Sequence, residues 1–355
     1  MSAALVFLTV WYIIRASGEF SGALIILFEM ENRMIITVTL NPAIDKTVTV
    51  EKLRTGELHK VLSSREDAGG KGINVSKTIK SLGGKSIAVG FLGGAAGERI
   101  KEMLRVLDIE EYFTHIQDRT RTNLKIADQS GVVTELNEPG PRITQAETEA
   151  FCGTFGNLAG PGDLVIVSGS MPGGISADFY ARLVREVHAL GAEIFVDADG
   201  MAFAEAVKAV PDIVKPNLPE LKRYCEKEGL TGAELAVEEK LPKKVCEVLG
   251  MGNILRARGI AEVIVSMGAD GAVFLTETGN YYTPALFVPV CSTVGAGDAM
   301  VAAYAYARMQ EKPLEERIRF CVAVSAGAVT TQGTNPAKRE DIEQYMPQVQ
   351  LIRCR

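Results

Sequence analysis

An aspartate that follows a glycine-rich turn and opens a helix stands where a proton acceptor and an anion hole meet. Ser292-Thr293-Val294-Gly295-Ala296-Gly297-Asp298 has that form and runs into the helical pattern Ala299-Met300-Val301-Ala302-Ala303. Gly295 and Gly297 permit a tight turn, and the helix start gathers N–H groups that lack intrahelical acceptors. Such a start suits the negative charge that develops on a transferred phosphoryl group. Asp298 can serve there as an N-cap or as a general base. No Gly-Lys-Ser/Thr follows, so this is not a Walker A loop.

Five further segments carry residues of the same chemistry. Gly69-Gly70-Lys71-Gly72-Ile73-Asn74 lets backbone approach a ligand and sets a cation at a helix start, a combination that would hold a phosphate or several hydroxyls. Asn41-Pro42-Ala43-Ile44-Asp45 ends an apolar run and places Asp45 where it could accept from hydroxyls, or simply turn the chain. Asp118-Arg119-Thr120-Arg121-Thr122-Asn123 offers two arginines, a side chain suited to bidentate phosphate binding. In Lys215-Pro216-Asn217-Leu218-Pro219-Glu220, proline suits a helix start and Glu220 can favour its dipole. Ser266-Met267-Gly268-Ala269-Asp270-Gly271 reads as a strand and a hairpin turn.

The elements that must position these residues alternate. From residue 34 onward, β-branched runs at about 35–40, 86–91, 164–168, 194–197, 213–215 and 263–266 are expected strands. Helical patterns fall at about 73–82, 97–107, 144–157, 176–190, 218–227, 298–309 and 314–331. That alternation implies a mainly parallel α/β sheet, whose ligands sit at the carboxyl ends of the strands. Residues 46–66 and 111–137 break the rhythm as polar-faced strands and are expected to form a small β-rich lid. No linker or repeat divides 34–355, which is taken as one domain bearing that lid.

The composition agrees with an ordinary globular chain: 355 residues, 47% apolar, 23% charged. A net charge of −6 argues against a broad nucleic-acid surface. Six cysteines without a C-x-x-C pair and three histidines argue against structural zinc, and a reducing, cytoplasmic compartment is expected. Residues 1–33 stand apart, with two apolar runs too short to span a bilayer and no basic residue before Arg15. They read as an extension foreign to the fold, and membrane attachment is not expected. Cys291 and Cys321 are expected to be small packing residues.

The six motifs, taken in chain order across essentially all of residues 34–350, resemble the phosphofructokinase B family of ribokinase-like sugar kinases. The resemblance implies a mainly parallel sheet flanked by helices, with a small lid, that transfers phosphate from MgATP to a sugar phosphate. It implies that Asp298 deprotonates the acceptor hydroxyl while the backbone of Gly295, Ala296 and Gly297 stabilises the transferring phosphate. Asp45, Gly70 and Asn74 would bind the phosphosugar, with Lys71 and Arg121 on the phosphate it already carries. Asn217 and Glu220 match an N-x-x-E motif that organises Mg2+ through water and the nucleotide phosphates, and Lys215 adds charge there. Ser266, Gly268 and Gly271 would lie beside ATP, with Gly327 and the Gln332-Gly333-Thr334 turn completing the pocket. Asp197, at a strand end, is placed loosely in the same region, and Ser168-Gly169-Ser170-Met171-Pro172 matches a segment near the sugar.

Thr39–Asp45 and Thr120–Lys125 look most like the 1-phosphofructokinases, which make fructose 1,6-bisphosphate. Tagatose-6-phosphate kinases and minor 6-phosphofructokinases share nearly all these motifs. A non-catalytic sugar-phosphate sensor would be a different class, marked by loss of Asp298 or its glycines, and neither is lost. Exposed lid edges suggest a homodimer. The stretch 229–258 receives no function.

Overall fold

Apolar, β-branched strands without polar alternation must be covered on both faces. In β1 (Ile35–Thr39) all five residues are buried, as are all five of β8 (Leu164–Ser168) and all seven of β4 (Ser86–Leu92). The computed structural model describes residues 33–230 and 241–354. The expectation for the N-terminal extension lies outside the described residues except at Arg33, and the middle of the 229–258 stretch lies outside them too.

The main sheet also holds β5 (Glu110–His115), β9 (Glu193–Asp197), β10 (Ile213–Val214), β11 (Glu262–Ser266), β12 (Ala272–Leu275), β13 (Asn280–Thr283) and β14 (Ile352–Cys354). Its order is β14-β13-β12-β11-β10-β9-β8-β1-β4-β5. From β11 to β5 every pairing is parallel, whereas β11 to β14 is an antiparallel edge. Successive side chains go to opposite faces. Ile36, Val38, Val165 and Val167 therefore pack in one apolar cluster, and Ile35, Leu164, Ile166 and Phe195 in the other.

Helices cover both faces. On the Ile35 side lie α1 (Lys71–Ser81), α8 (Ala296–Met309), α9 (Leu314–Val329) and α10 (Arg339–Tyr345), which contribute Val75, Val301, Val324 and Ile342. On the Ile36 side lie α3 (Gln145–Gly156), α4 (Phe179–Ala189), α5 (Gly200–Lys208), α6 (Leu218–Lys227) and α7 (Lys243–Ala257). No helix among the described residues is long and apolar enough to cross a membrane.

A separate sheet, ordered β3-β2-β6-β7, is built from β2 (Ala43–Val50), β3 (Ser63–Gly69), β6 (Arg121–Asp128) and β7 (Val133–Leu136). A third cluster ties it to the rest: Ile44 and Ala68 meet Ile73, Leu92 and two residues of α2 (Gly94–Val106), Ile100 and Leu104. The architecture is thus a large, mostly parallel sheet flanked by helices, plus a small separate sheet.

The structure differs from expectation at one boundary of that small sheet. Residues 111–115 belong to β5, the edge of the main sheet, paired in parallel with β4. Glu110-Glu111-Tyr112-Phe113-Thr114-His115 reads as polar-faced because an edge strand buries little; only Phe113 is buried. The helices α5, α7 and α10 and strands β12 to β14 were not expected as elements, and α7 occupies the second half of the 229–258 stretch.

Candidate active site

The carboxyl ends of β1, β8, β9, β10 and β11 open into one cleft of about 1400 Å3, roofed on one side by the small sheet. Gly295, Ala296, Gly297 and Asp298 line it, with Asp45, Gly70, Lys71, Asn74 and Arg121. So do Lys215, Asn217, Ser266, Gly268, Gly271 and Glu220. Of the turn expected to complete the nucleotide pocket only Thr334 lines the cleft; Gln332 and Gly333 do not, and Gly327 packs instead against Ala337.

At its centre is the start of α8. Gly295 has φ 83°, in the left-handed region that glycine alone enters without strain, and no side chain caps the helix. Its first-turn amides are left without a side-chain acceptor. Lys215 Nζ stands 3.4 Å from where a Cβ at Gly297 would sit, which brings an ammonium against the same turn. Asp298 is 7% exposed and accepts a 2.9 Å hydrogen bond from Asn74 Nδ2. Burial, with the negative charge of Asp197 added, pushes its carboxyl up to about 6 against the pull of Asn74, Lys71 and Lys215.

Asp197, at the end of β9, is the charge hub of this region. It is 1% exposed, with Lys215 Nζ 3.2 Å from Oδ1 and Lys71 Nζ 3.6 Å from Oδ2. These are charge contacts rather than aligned hydrogen bonds. Burial works to raise the Asp197 carboxyl, but the two lysines outweigh it and hold it below the usual aspartate value. Asp197 in turn raises Lys71 to about 12 despite burial, helped by Asp298, Glu220 and Asp199. Lys71 is thus engaged with Asp197 beside Asp298 while still lining the cleft.

Toward the small sheet the cleft is lined by carboxylate, amide, hydroxyl and guanidinium groups. Asp45 accepts from Asn123 Nδ2 at 3.0 Å. Arg121 donates from Nη1 to the Glu138 carbonyl at 2.9 Å and from Nη2 to the Asn41 carbonyl at 3.1 Å. Asn41 Nδ2 donates to the Pro139 carbonyl and to Ser170 Oγ, both at 3.2 Å. Thr39 Oγ1, Asn41 Oδ1, Asn74 Oδ1, Asn123 Oδ1, Ser168 Oγ and Arg121 Nε are buried without partners, and all six side chains line the cleft. Buried polar atoms are ordinarily paired, so orphans concentrated in one cavity mark where a polar ligand completes them. Burial depresses the Arg121 guanidinium, with Asp45 and Glu138 opposing.

At the other end, Asn217 and Glu220 form a reciprocal capping box on α6. Asn217 Oδ1 accepts from the Glu220 amide at 2.9 Å, and Glu220 Oε2 accepts from the Asn217 amide at 2.8 Å. The structural role of both residues is therefore present, and it leaves Glu220 Oε1 outside the box. No cluster of three or more His, Cys, Asp or Glu suited to a metal occurs among the described residues. An ion held through one carboxylate oxygen, with water and substrate phosphates supplying the rest, fits that donor set and is the habit of Mg2+. Ser266, at the end of β11, and Gly268 and Gly271, in the turn before β12, line the cleft together with the apolar Leu286, Phe287 and Val290.

Sequence reasoning gave no role to Asn41, Asn123, Lys125 or Glu138. The alternation of Arg121, Asn123 and Lys125 along one strand was a usable signal for two of them. Glu138 meets Arg121 because the chain leaving β7 continues antiparallel alongside β6, where the Glu138 side chain also accepts from the Thr122 amide at 3.0 Å.

Comparison with known proteins agrees with this geometry. The model of the pfkB family carbohydrate kinases matches residues 38–341. The 1-phosphofructokinase of Vibrio cholerae is 33% identical over 321 residues, covering 90% of this chain and 96% of its own. Phosphofructokinase-2 of Escherichia coli, solved with substrates and products, aligns with a TM-score of 0.80 and 26% identity over 89% of this chain and 99% of that one. Ribokinase of Thermotoga maritima, at 20% identity and a TM-score of 0.68 over 89% of this chain and 99% of that one, shares the fold.

Proposed function

The chain belongs to the pfkB family of carbohydrate kinases, and from that premise we propose that it transfers the γ-phosphoryl group of ATP to fructose 1-phosphate, giving fructose 1,6-bisphosphate. The observation that carries the reading is the 2.9 Å hydrogen bond from Asn74 to Asp298. It joins the glycine-lysine turn at the acceptor end to the helix start at the transfer end, so an acceptor hydroxyl and an anion hole share one point.

Phosphoryl transfer depends mainly on positioning and charge stabilisation. Asp298 accepts the proton of the attacking hydroxyl, and a carboxylate poised near 6 is a better base at neutral pH than an ordinary aspartate. The first-turn amides of α8 at Gly295, Ala296 and Gly297 face the oxygens of the transferring group. Lys215 and Lys71, held by Asp197, neutralise the charge on either side of it. Arg121, with a buried unpaired Nε–H, grips the phosphate already on the sugar, while Asp45 and Asn74 accept and donate to hydroxyls. Ser266, Gly268 and Gly271 border the adenine nucleotide, and Asn217 orders the turn that carries Glu220 toward its phosphates. Glu220 Oε1 would hold Mg2+ through water, an ion that when bound offsets the charge of the nucleotide phosphates.

The small sheet acts as a lid over the acceptor end, where excluding water limits ATP hydrolysis. Its edge strand β7 is exposed along its whole length, and Val133 and Leu136 there are more than half exposed. That edge supports a homodimer paired lid to lid.

The test is ADP formation by the full chain with MgATP against fructose 1-phosphate, fructose 6-phosphate and tagatose 6-phosphate. A kcat/KM preference for fructose 1-phosphate of about tenfold or more is expected, equivalent to about 1.4 kcal/mol of transition-state discrimination. Preference for a 6-phosphate ketose would keep the chemistry and change the substrate. No turnover with any of the three would replace the kinase with a sensor.

A further inference from the structure

Arg121, Asn123 and Lys125 occupy alternate positions on β6, so the pleat turns all three toward one face of the small sheet. In the parallel register with β2, Asn123 lies opposite Asp45 and Lys125 opposite Thr47. Asn123 Nδ2 donates to Asp45 Oδ1, and Lys125 Nζ stands 3.4 Å from Oδ2. The two charged side chains are only 13% and 11% exposed, so water and salt screen them little. On a third side Gly69 makes room for the carboxylate: a Cβ there would lie 2.6 Å from the Asp45 carboxyl carbon. Asp45 and Asn123 line the cleft, whereas Lys125 does not.

We propose that Lys125 is a positioning residue for sugar recognition, holding the Asp45 carboxylate aimed into the acceptor end without touching the substrate. The inference rests on the phosphosugar-kinase reading of the cleft. A largely buried carboxylate is tolerated only when paired, and Lys125 is the ammonium that pairs it. Each Asp45 oxygen keeps a second lone pair after these contacts, so the carboxylate remains able to accept from substrate hydroxyls. Fixing its rotamer in advance removes the ordering cost that hydroxyl recognition would otherwise carry. The other lysine of this region, Lys77, donates instead to the Ala68 carbonyl and ties α1 to β3.

The experiment compares Lys125→Met, Lys125→Arg, Asp45→Asn and the Lys125→Met/Asp45→Asn double variant in the full chain. KM is measured separately for phosphosugar and ATP, together with Tm. Lys125→Met is expected to raise the phosphosugar KM about 10- to 100-fold, as loss of a residue that orients a ligand does elsewhere. The KM for ATP should stay within about twofold, and Lys125→Arg should recover most of the loss. In the double variant, Lys125→Met should add nothing to Asp45→Asn, because it acts through that residue. An unchanged phosphosugar KM overturns the proposal, as does a fully additive double variant, which would mean that Lys125 contacts the substrate itself. A parallel rise in both KM values with a fall in Tm would reduce Lys125 to a strand tie. If Lys125→Met does not fold, Lys125→Gln, shorter and uncharged, is expected to raise the phosphosugar KM in the same direction, and an unchanged KM there overturns the proposal. Should the parent chain turn over no phosphosugar, the kinase reading fails and this inference with it; a normal parent beside a normal variant sinks this inference alone.

Discussion

Replacing Asp298 by Asn separates the chemistry of this carboxylate from its cost to the fold. The amide has nearly the same volume, and its oxygen can still accept from Asn74 Nδ2, so the local packing persists. What disappears is a proton acceptor, and the rate should fall roughly 10²- to 10⁴-fold. The stability should move the other way. Folding raises the Asp298 carboxyl to about 6, because burial and Asp197 disfavour its charge. Against an ordinary aspartate near 3.9, that displacement corresponds to about 3 kcal/mol at neutral pH. The group is held neutral more readily in the folded state than in the unfolded one. Its contribution is therefore most favourable below pH about 4 and is lost as pH rises through about 6. Asn never charges, so the variant should be more stable than the parent at pH 7.5, by up to about 4 °C in Tm for a chain of this size. The gap should close below pH about 4, where both side chains are neutral. Thermal melts across pH, paired with steady-state ADP formation, read both arms. A rate loss under about tenfold refutes the base assignment. A Tm that falls at pH 7.5 refutes the claim that a desolvated charge sits at this helix start.

Three further outcomes are expected. Asp197→Asn leaves Lys71 and Lys215 without their buried counter-charge, so thermal melts should show a loss of roughly 3–5 kcal/mol. It also removes the negative charge that raises Asp298, so the acid limb of the kcat/KM profile, near 6 in the parent, should move to lower pH; a limb that moves upward would refute the coupling. Glu220→Gln keeps a side chain able to close the capping box, so the stability should stay within about 0.5 kcal/mol of the parent while the Mg2+ concentration for half-maximal rate rises several-fold; an unchanged Mg2+ titration would confine Glu220 to capping. Gly295→Ala forces a Cβ into the left-handed region 3.3 Å from Thr334, which should cost about 1–2 kcal/mol and lower kcat more than either KM; a normal kcat would show that the turn tolerates another geometry.

How far the site could be read from sequence depended on whether its groups were neighbours in the chain. Gly295 to Asp298 and Gly70 to Asn74 carry their own geometry, because a glycine turn and the helix after it are local events. The capping box of Asn217 and Glu220 is equally local, and their spacing suits both a helix cap and a metal-organising motif. The fold followed from the same kind of information, since the buried strands show uninterrupted apolar runs. One error fell where burial is partial, and others at elements too short to stand out, such as the fully buried β12. Residues 111–115 alternate like a lid strand because they form the edge of the main sheet. Strand β14, only three residues long, pairs with β13 from the far end of the chain, and no local pattern could announce that.

Asp197 shows what topology adds to such motifs. On its own it is an aspartate at a strand end, a position that turns the chain as often as it does chemistry. The sheet order makes it a hub. Strand β9 lies between β8 and β10, so the chain leaving β10 delivers Lys215 to one side of it. On the other side, Gly169, just beyond β8, lies against the Lys71 side chain. Two lysines from distant motifs are thereby held by one buried carboxylate, and both lie beside the start of α8. The same carboxylate raises both the Asp298 carboxyl and the Lys71 ammonium, so one side chain tunes the proposed general base and a lysine beside it. A family motif supplies the residue types at each point of the cleft. The parallel order β8-β9-β10 supplies the reason that they act on one another.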